Sequence, residues 1–457
     1  MTRTTLVLLS LGMAMIGFGQ TDPVITDWML NTTGIMGRHY VQGNSTPIQD
    51  NVLANVQQVD YSDNWVYVHT HGIPAYITGP FLDGNPSLAT DQSAIYRFPR
   101  VPLQNTGAAT PTTGGNIGIF INGVSLFDYR DGVAWNATTN ALCGGPGNPP
   151  CPGGMGATQA WSRDAIPAER AGFDCSKAHP AMGNYHHHQN PSAFNLDLAV
   201  VSNICDLYAA DGLYVIDSTA HSPLIGYAYD GFPIYGAYGA ANTDGSGGIV
   251  RMRSGYQLRD ITVRNTSPTG VPVTDGAPIN TTYPLGYFRE DYEYIAHAEP
   301  YYLDEHNGRL CVTPEYPEGT YAYFCTVDEN WNSAYPYVVG PTFYGVKTAS
   351  KVTSITESVT TFDPLSLGSR EMLPSDDRYT VFPNPASDVV AIQVNGILHS
   401  NLIVGLFDAS GKEVRNATIF QGSTIWFLDT RTLYDGTYFV RIGNGRDAIT
   451  EQVEIVR

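Results

Sequence analysis

Apolar and polar positions alternate in short runs along most of this chain, and long stretches of helical periodicity are scarce. The pattern is clearest towards the C-terminus, where residues 389–394, 402–408, 424–428, 437–442 and 451–456 each predict a short strand. Asp408-Ala-Ser-Gly411 and Tyr434-Asp-Gly436 read as turns between them. Residues 379–457 therefore suit a small Ig-like β-sandwich. Upstream, 47 Gly, 30 Pro and 29 Tyr favour strands joined by tight turns. One short helix is expected between about 158 and 172, with Pro167 interrupting it. The expected fold is mainly β: a large β-rich domain over 20–345 with disulfide-closed loops, then the small sandwich. Residues 346–378 are polar without a steady period and read as a linker.

The 457 residues exceed one ordinary core and predict more than one domain. The net charge is −19, with four lysines: Lys177, Lys347, Lys351 and Lys412. An acidic surface repels phosphate backbones, which argues against nucleic acid as a partner. Residues 1–19 have the pattern of a signal peptide. Arg3 is the basic residue, 6–18 the apolar stretch, and Gly17 and Gly19 the small residues ahead of Gln20. That run is short for a bilayer, and no other segment approaches transmembrane length.

An exported chain gives six cysteines a use as three disulfides. Cys311 and Cys325 flank Pro317-Glu318-Gly319 symmetrically, as a hairpin bridge would. Cys143 and Cys151 close a Gly/Pro-rich loop. Cys175 and Cys205 pair by elimination.

The candidate chemistry lies in Tyr185-His186-His187-His188, preceded by His179. On an extended segment His186 and His188 share one face, with Cα atoms roughly 6.5 Å apart. Two imidazoles on one face are half of a metal site. His179 supplies a third ligand if residues 180–183 turn, and His221 a fourth from a neighbouring strand. Such a set suits copper or zinc better than calcium. Tyr185, Asp230 and Glu305 are candidates to line or orient the site, although Asp before Gly also caps turns. His69 and His71 form a second His-x-His pair, read here as a strand face near the surface.

Two family resemblances extend this reading. Tyr-Thr-Val-Phe-Pro-Asn-Pro-Ala at 379–386, Leu-Phe-Asp-Ala-Ser-Gly-Lys at 406–412, Gly-Thr-Tyr-Phe-Val-Arg at 436–441 and Val-Glu-Ile-Val-Arg at 453–457 resemble the type A C-terminal sorting domain of the type IX secretion system of Bacteroidetes. That resemblance implies engagement of the type IX machinery, outer-membrane translocation, removal of the domain, and release or attachment at the cell surface. The segments 174–180, 183–188, 221–236, 303–309, 313–324 and 335–345 together resemble the YHYH domain family, with the core of the match at 174–345. His187 stands where that family has its second tyrosine. His306 stands where a cysteine is expected in Leu-Asp-Glu-Cys-Asn-Gly-Arg, which implies a missing or rerouted cysteine pairing. The family resemblance assigns no reaction, so enzymatic activity stays open. The leading expectation is a secreted or cell-surface protein that binds a divalent metal through its histidines. The alternative is a surface module that binds polysaccharide on its aromatic side chains or serves as structure.

Overall fold

The computed structural model describes residues 22–82, 88–145, 147–153, 159–200, 202–363, 379–394, 401–408, 413–420, 425–443 and 448–456. The signal-peptide reading falls outside these residues. Two compact units divide the chain, one over Pro23–Phe362 and one containing Asp363–Arg457.

The larger unit is built on two sheets whose inward side chains form one core. The eight-stranded sheet runs in the order Ala178–Ala181, Asn184–His187, Ser125–Phe127, Asn116–Phe120, Leu224–Ala228, Pro233–Tyr235, Thr320–Phe324 and Gly308–Cys311. It is mixed: Asn184–His187 lies parallel to Ser125–Phe127, and Pro233–Tyr235 parallel to Thr320–Phe324. Its middle strands are covered on both faces, and every residue of Leu224–Ala228 is buried. Such strands read as continuous apolar runs rather than alternations. The five-stranded sheet runs Ser350–Val352, Ala94–Pro99, Trp65–Thr70, Val56–Tyr61 and Thr360–Thr361. Trp28 joins the two sheets, its ring 5.6 Å from Phe98 and 5.4 Å from Tyr227.

Two expectations are overturned. The stretch read as a linker from 346 supplies both edge strands of the five-stranded sheet, at Ser350–Val352 and Thr360–Thr361. Edge strands are largely solvated on their outer sides, so a polar composition without period is compatible with pairing. Cys311 and Cys325 are also not bridged; both are buried thiols. Their hairpin has another register, with Cys311 opposite Thr320 rather than Cys325. The loop between the strands turns twice, through Thr313–Tyr316 and again through Tyr316–Gly319, where the Gly319 N–H donates to the Tyr316 carbonyl. Cys143–Cys151 and Cys175–Cys205 are disulfides as expected.

The smaller unit is an antiparallel two-sheet sandwich. One sheet pairs Tyr379–Phe382, Val389–Val394 and Ile425–Asp429; the other pairs Glu413–Ile419, Leu402–Asp408, Gly436–Gly443 and Ala448–Ile455. Val390, Ile392 and Leu428 from the first sheet meet Val404, Leu406, Val440 and Val453 from the second in one core.

Candidate metal centre

The site begins with a hairpin. Ala178–Ala181 and Asn184–His187 pair antiparallel, with His179 directly opposite His186. The turn is Met182-Gly183, with φ of 49° and 84°. Positive φ at both central residues is the signature of the I′ turn, whose twist matches that of its strands. A Cβ at Gly183 would lie 2.1 Å from Thr90 Oγ1, so glycine is required there for space as well as conformation. The pairing aligns His179 with His186, and the two-residue period adds His188 on the same face.

His179, His186 and His188 are all buried, and one ligand nitrogen from each lies within 4.8 Å of the others. The His186 Nδ1–H donates to the Asn184 carbonyl at 2.8 Å, and the His188 Nδ1–H donates to the Asp128 carbonyl at 2.7 Å. The Phe127 ring stacks on His186 at 3.8 Å, and Phe173 meets His179 edge-on at 4.9 Å. Carbonyl oxygens only accept, so each Nδ1 carries the proton and each Nε2 an outward lone pair. The two Nε2 atoms face each other at 3.0 Å. Two lone pairs at that distance repel unless a proton or a cation lies between them.

Burial disfavours the proton. It pushes the His186 imidazole well below its ordinary pKa, and the charges that His188 and His179 can carry push it further. Burial likewise lowers His188, more than the nearby Glu169 carboxylate raises it.

Nothing in the sequence pointed to the fourth member. Glu169 ends the short helix Ala165–Glu169, which starts at Asp164, whose side chain accepts from the Ile166 N–H at 2.9 Å. Pro167 lies in the first turn, where its missing N–H costs nothing. Glu169 Oε2 is 3.3 Å from His179 Nε2 and 3.4 Å from His188 Nε2. Burial raises this carboxyl, but the His179 hydrogen bond and the two imidazoles' charge outweigh it, and the net shift is downward. Three of the six separations in this group are 3.0, 3.3 and 3.4 Å, near the edge of roughly 3.3 Å for tetrahedral ligands about 2.0–2.1 Å from one ion; the cluster whose ligand atoms all lie within 4.8 Å of one another is the three histidines. The buried histidine triad could therefore hold a metal ion.

The other candidate residues lie elsewhere. Tyr185 is on the opposite face of its strand, with its hydroxyl donating to Asp174 Oδ2 at 2.8 Å. Asp174 also accepts from the Gly79, Ser176 and Ala178 N–H groups, so this pair anchors the hairpin from behind. His187 shares that face and is 2.7 Å from the Tyr76 hydroxyl. His221 does not join the group. The strand that follows it, Leu224–Ala228, lies three places from Asn184–His187 in the sheet, about 14 Å away. Its ring lies edge-on to Tyr235 at 5.2 Å, and its Nδ1–H donates to the Ser222 carbonyl. Asp230 accepts from the Tyr323 hydroxyl at 2.6 Å and from the Gly345 and Phe232 N–H groups. It ties a turn to the core, and burial pushes its carboxyl up to about 6. Glu305 is exposed, and its neighbour Asp304 accepts the turn's N–H groups from His306 and Gly308.

Fold and site together define a β protein with an export tail and a buried histidine centre. A family model described as "YHYH protein" matches residues 95–336, more than half of the chain, and this chain belongs to that family. A second model, described as a secretion system C-terminal sorting domain, matches residues 380–456. That domain supports secretion and cell-surface attachment by the type IX route. Among the described residues no helix is long and apolar enough to cross a membrane. No curated protein matches the chain. One solved structure, a duf3244 family protein with an immunoglobulin-like β-sandwich fold from Bacteroides vulgatus, is 16% identical. The match covers 17% of this chain and 83% of that one at a TM-score of 0.15, a likeness too slight to build on.

Proposed function

We propose that this is an exported, surface-directed protein whose YHYH domain holds one divalent transition metal, zinc or copper, between His179, His186, His188 and Glu169. The observation that carries this reading is the pair of Nε2 atoms facing each other at 3.0 Å while both Nδ1 protons are committed to backbone carbonyls. Those two carbonyls orient the rings, as outer partners do for metal-bound histidines. Phe127 and Phe173 pack against the His186 and His179 rings. The three histidines are 7% exposed or less, which favours a closed centre that clamps the hairpin to the helix Ala165–Glu169. A bound metal would supply Lewis acidity there, but the site's enclosure supports a stabilising role.

The test is metal content by mass spectrometry on protein purified without chelator or polyhistidine tag, beside His186→Ala/His188→Ala. Stoichiometric zinc or copper in the wild type and its absence from the variant are expected. A wild type free of metal, or equal metal in both, overturns the assignment.

A further inference from the structure

Lys177 is fully buried in a chain that has few lysines, whereas Lys347 and Lys351 are exposed. Its Nζ lies 2.6 Å from Asp197 Oδ1 and 3.1 Å from Ser192 Oγ, with the Phe194 ring centroid 5.5 Å away. Asp197 is 5% exposed, and its buried Oδ2 has no hydrogen-bond partner among the described residues. Ser192 and Asn190 are fully buried, and Asn190 Nδ2 donates to Ser192 Oγ at 3.1 Å. As an ion pair, this arrangement leaves one carboxylate oxygen unsatisfied in the protein interior, which is costly. An amide in its place would carry no charge.

We propose that Lys177 and Asp197 condense into an intramolecular isopeptide bond. The reactants are a side-chain ammonium and a carboxylate, and the products are a secondary amide and one water. Nζ passes one proton to Oδ1 across the 2.6 Å contact and attacks Cγ with its lone pair. The Nζ–Cγ bond forms and the Cγ–Oδ1 bond breaks. Oδ1 leaves as water with two protons, both originally on Nζ, the second relayed by Ser192 Oγ. The third proton remains on the amide nitrogen, Oδ2 becomes the carbonyl oxygen, and no oxidant or other reactant is required. Fixed contact of amine and carboxyl supplies the proximity that drives such condensations. Burial also pushes the Asp197 carboxyl up to about 6, more than Lys177 lowers it, which favours the protonated form that loses water. The bond closes a ring over residues 177–197 that contains all three site histidines.

Trypsin reads the bond directly. Between Arg170 and Arg251 the only cleavage site is Lys177. After reduction of the disulfides, the full-length exported protein is expected to give residues 171–251 as one uncut peptide, lighter by one water. Fragmentation should place the loss on a Lys177–Asp197 link. Asp197→Asn should keep the link with loss of ammonia instead, and Lys177→Arg should restore cleavage at 177 with unmodified masses. Cleavage at Lys177 in the wild type overturns the proposal, even if an Asp-Gly step such as Asp211-Gly212 has lost water as a succinimide. An uncut peptide of full mass overturns it as well. The wild-type map decides the question even if a variant does not fold.

Discussion

The chain has two His-x-His pairs in one domain, and only one of them belongs, among the described residues, to a buried cluster that could hold a metal. In Trp65–Thr70 and the residue after it, His69 Nε2 lies 2.8 Å from Asp60 Oδ2, and His71 Nδ1 lies 2.6 Å from Asp91 Oδ1. Each ring is engaged by its own carboxylate, and both side chains are about a quarter exposed. In the second pair, backbone carbonyls hold both Nδ1 protons and the Nε2 atoms converge. The spacing is identical, so spacing alone does not make a site. What separates the pairs is the partner: a carbonyl leaves a ring's other nitrogen neutral and directed, whereas separate carboxylates draw the two rings to separate places.

The strongest way to break this contrast is His186→Ala/His188→Ala. It should remove the metal and, with it, roughly 4 kcal/mol of stability at metal concentrations a thousandfold above Kd, read by urea unfolding with and without chelator. If chelator destabilises wild type and variant equally, the two pairs are equivalent after all.

His187 sharpens the contrast across a single strand. It points away from the centre, and burial lowers its pKa to about 3. The sign follows from linkage. Below pH 6.5 the unfolded chain takes a proton that folded His187 refuses, so stability is lost as pH falls towards 3. The loss reaches roughly 3 kcal/mol by pH 4. Chelator-treated His187→Gln should lack this component, giving a shallower decline than chelator-treated wild type between pH 6.5 and 4. Parallel curves would mean that His187 does not resist protonation.

Glu169→Gln keeps the shape but removes the charge beside the imidazoles. Metal affinity should fall by about 10–100-fold in competition with a chromogenic chelator. Unchanged affinity would restrict the centre to the three histidines. The smallest effect is expected for His69→Ala/His71→Ala. Metal content should be unchanged, and stability should fall by about 1 kcal/mol, as for the loss of partly exposed side-chain hydrogen bonds.

Part of this site was legible in the sequence. The two-residue period placed His186 and His188 together, and a turn through 180–183 was enough to suggest His179. Met182-Gly183 is that turn. Glu169 could not be found this way, because it reaches the histidines from a short helix outside the hairpin. His221 looked equivalent to the others, yet the sheet order separates it by two intervening strands. Sheet order is not encoded in the local pattern of any one strand. The pairing of Cys311 with Cys325 failed for a related reason. A symmetric sequence around Glu318-Gly319 suggests a register, but the loop through Thr313 and Tyr316 sets another.

The order of residues was enough for the strand-rich class, the sandwich at the C-terminal end, the export tail and the shared face of two histidines. These depend on local periodicity and on motifs read in order along the chain. Folding in three dimensions settled which nitrogens converge, which carboxylate joins them, and which lysine and aspartate are buried in contact. Those outcomes depend on strand order, hairpin register and loop path, which bring together residues with no fixed separation in the chain.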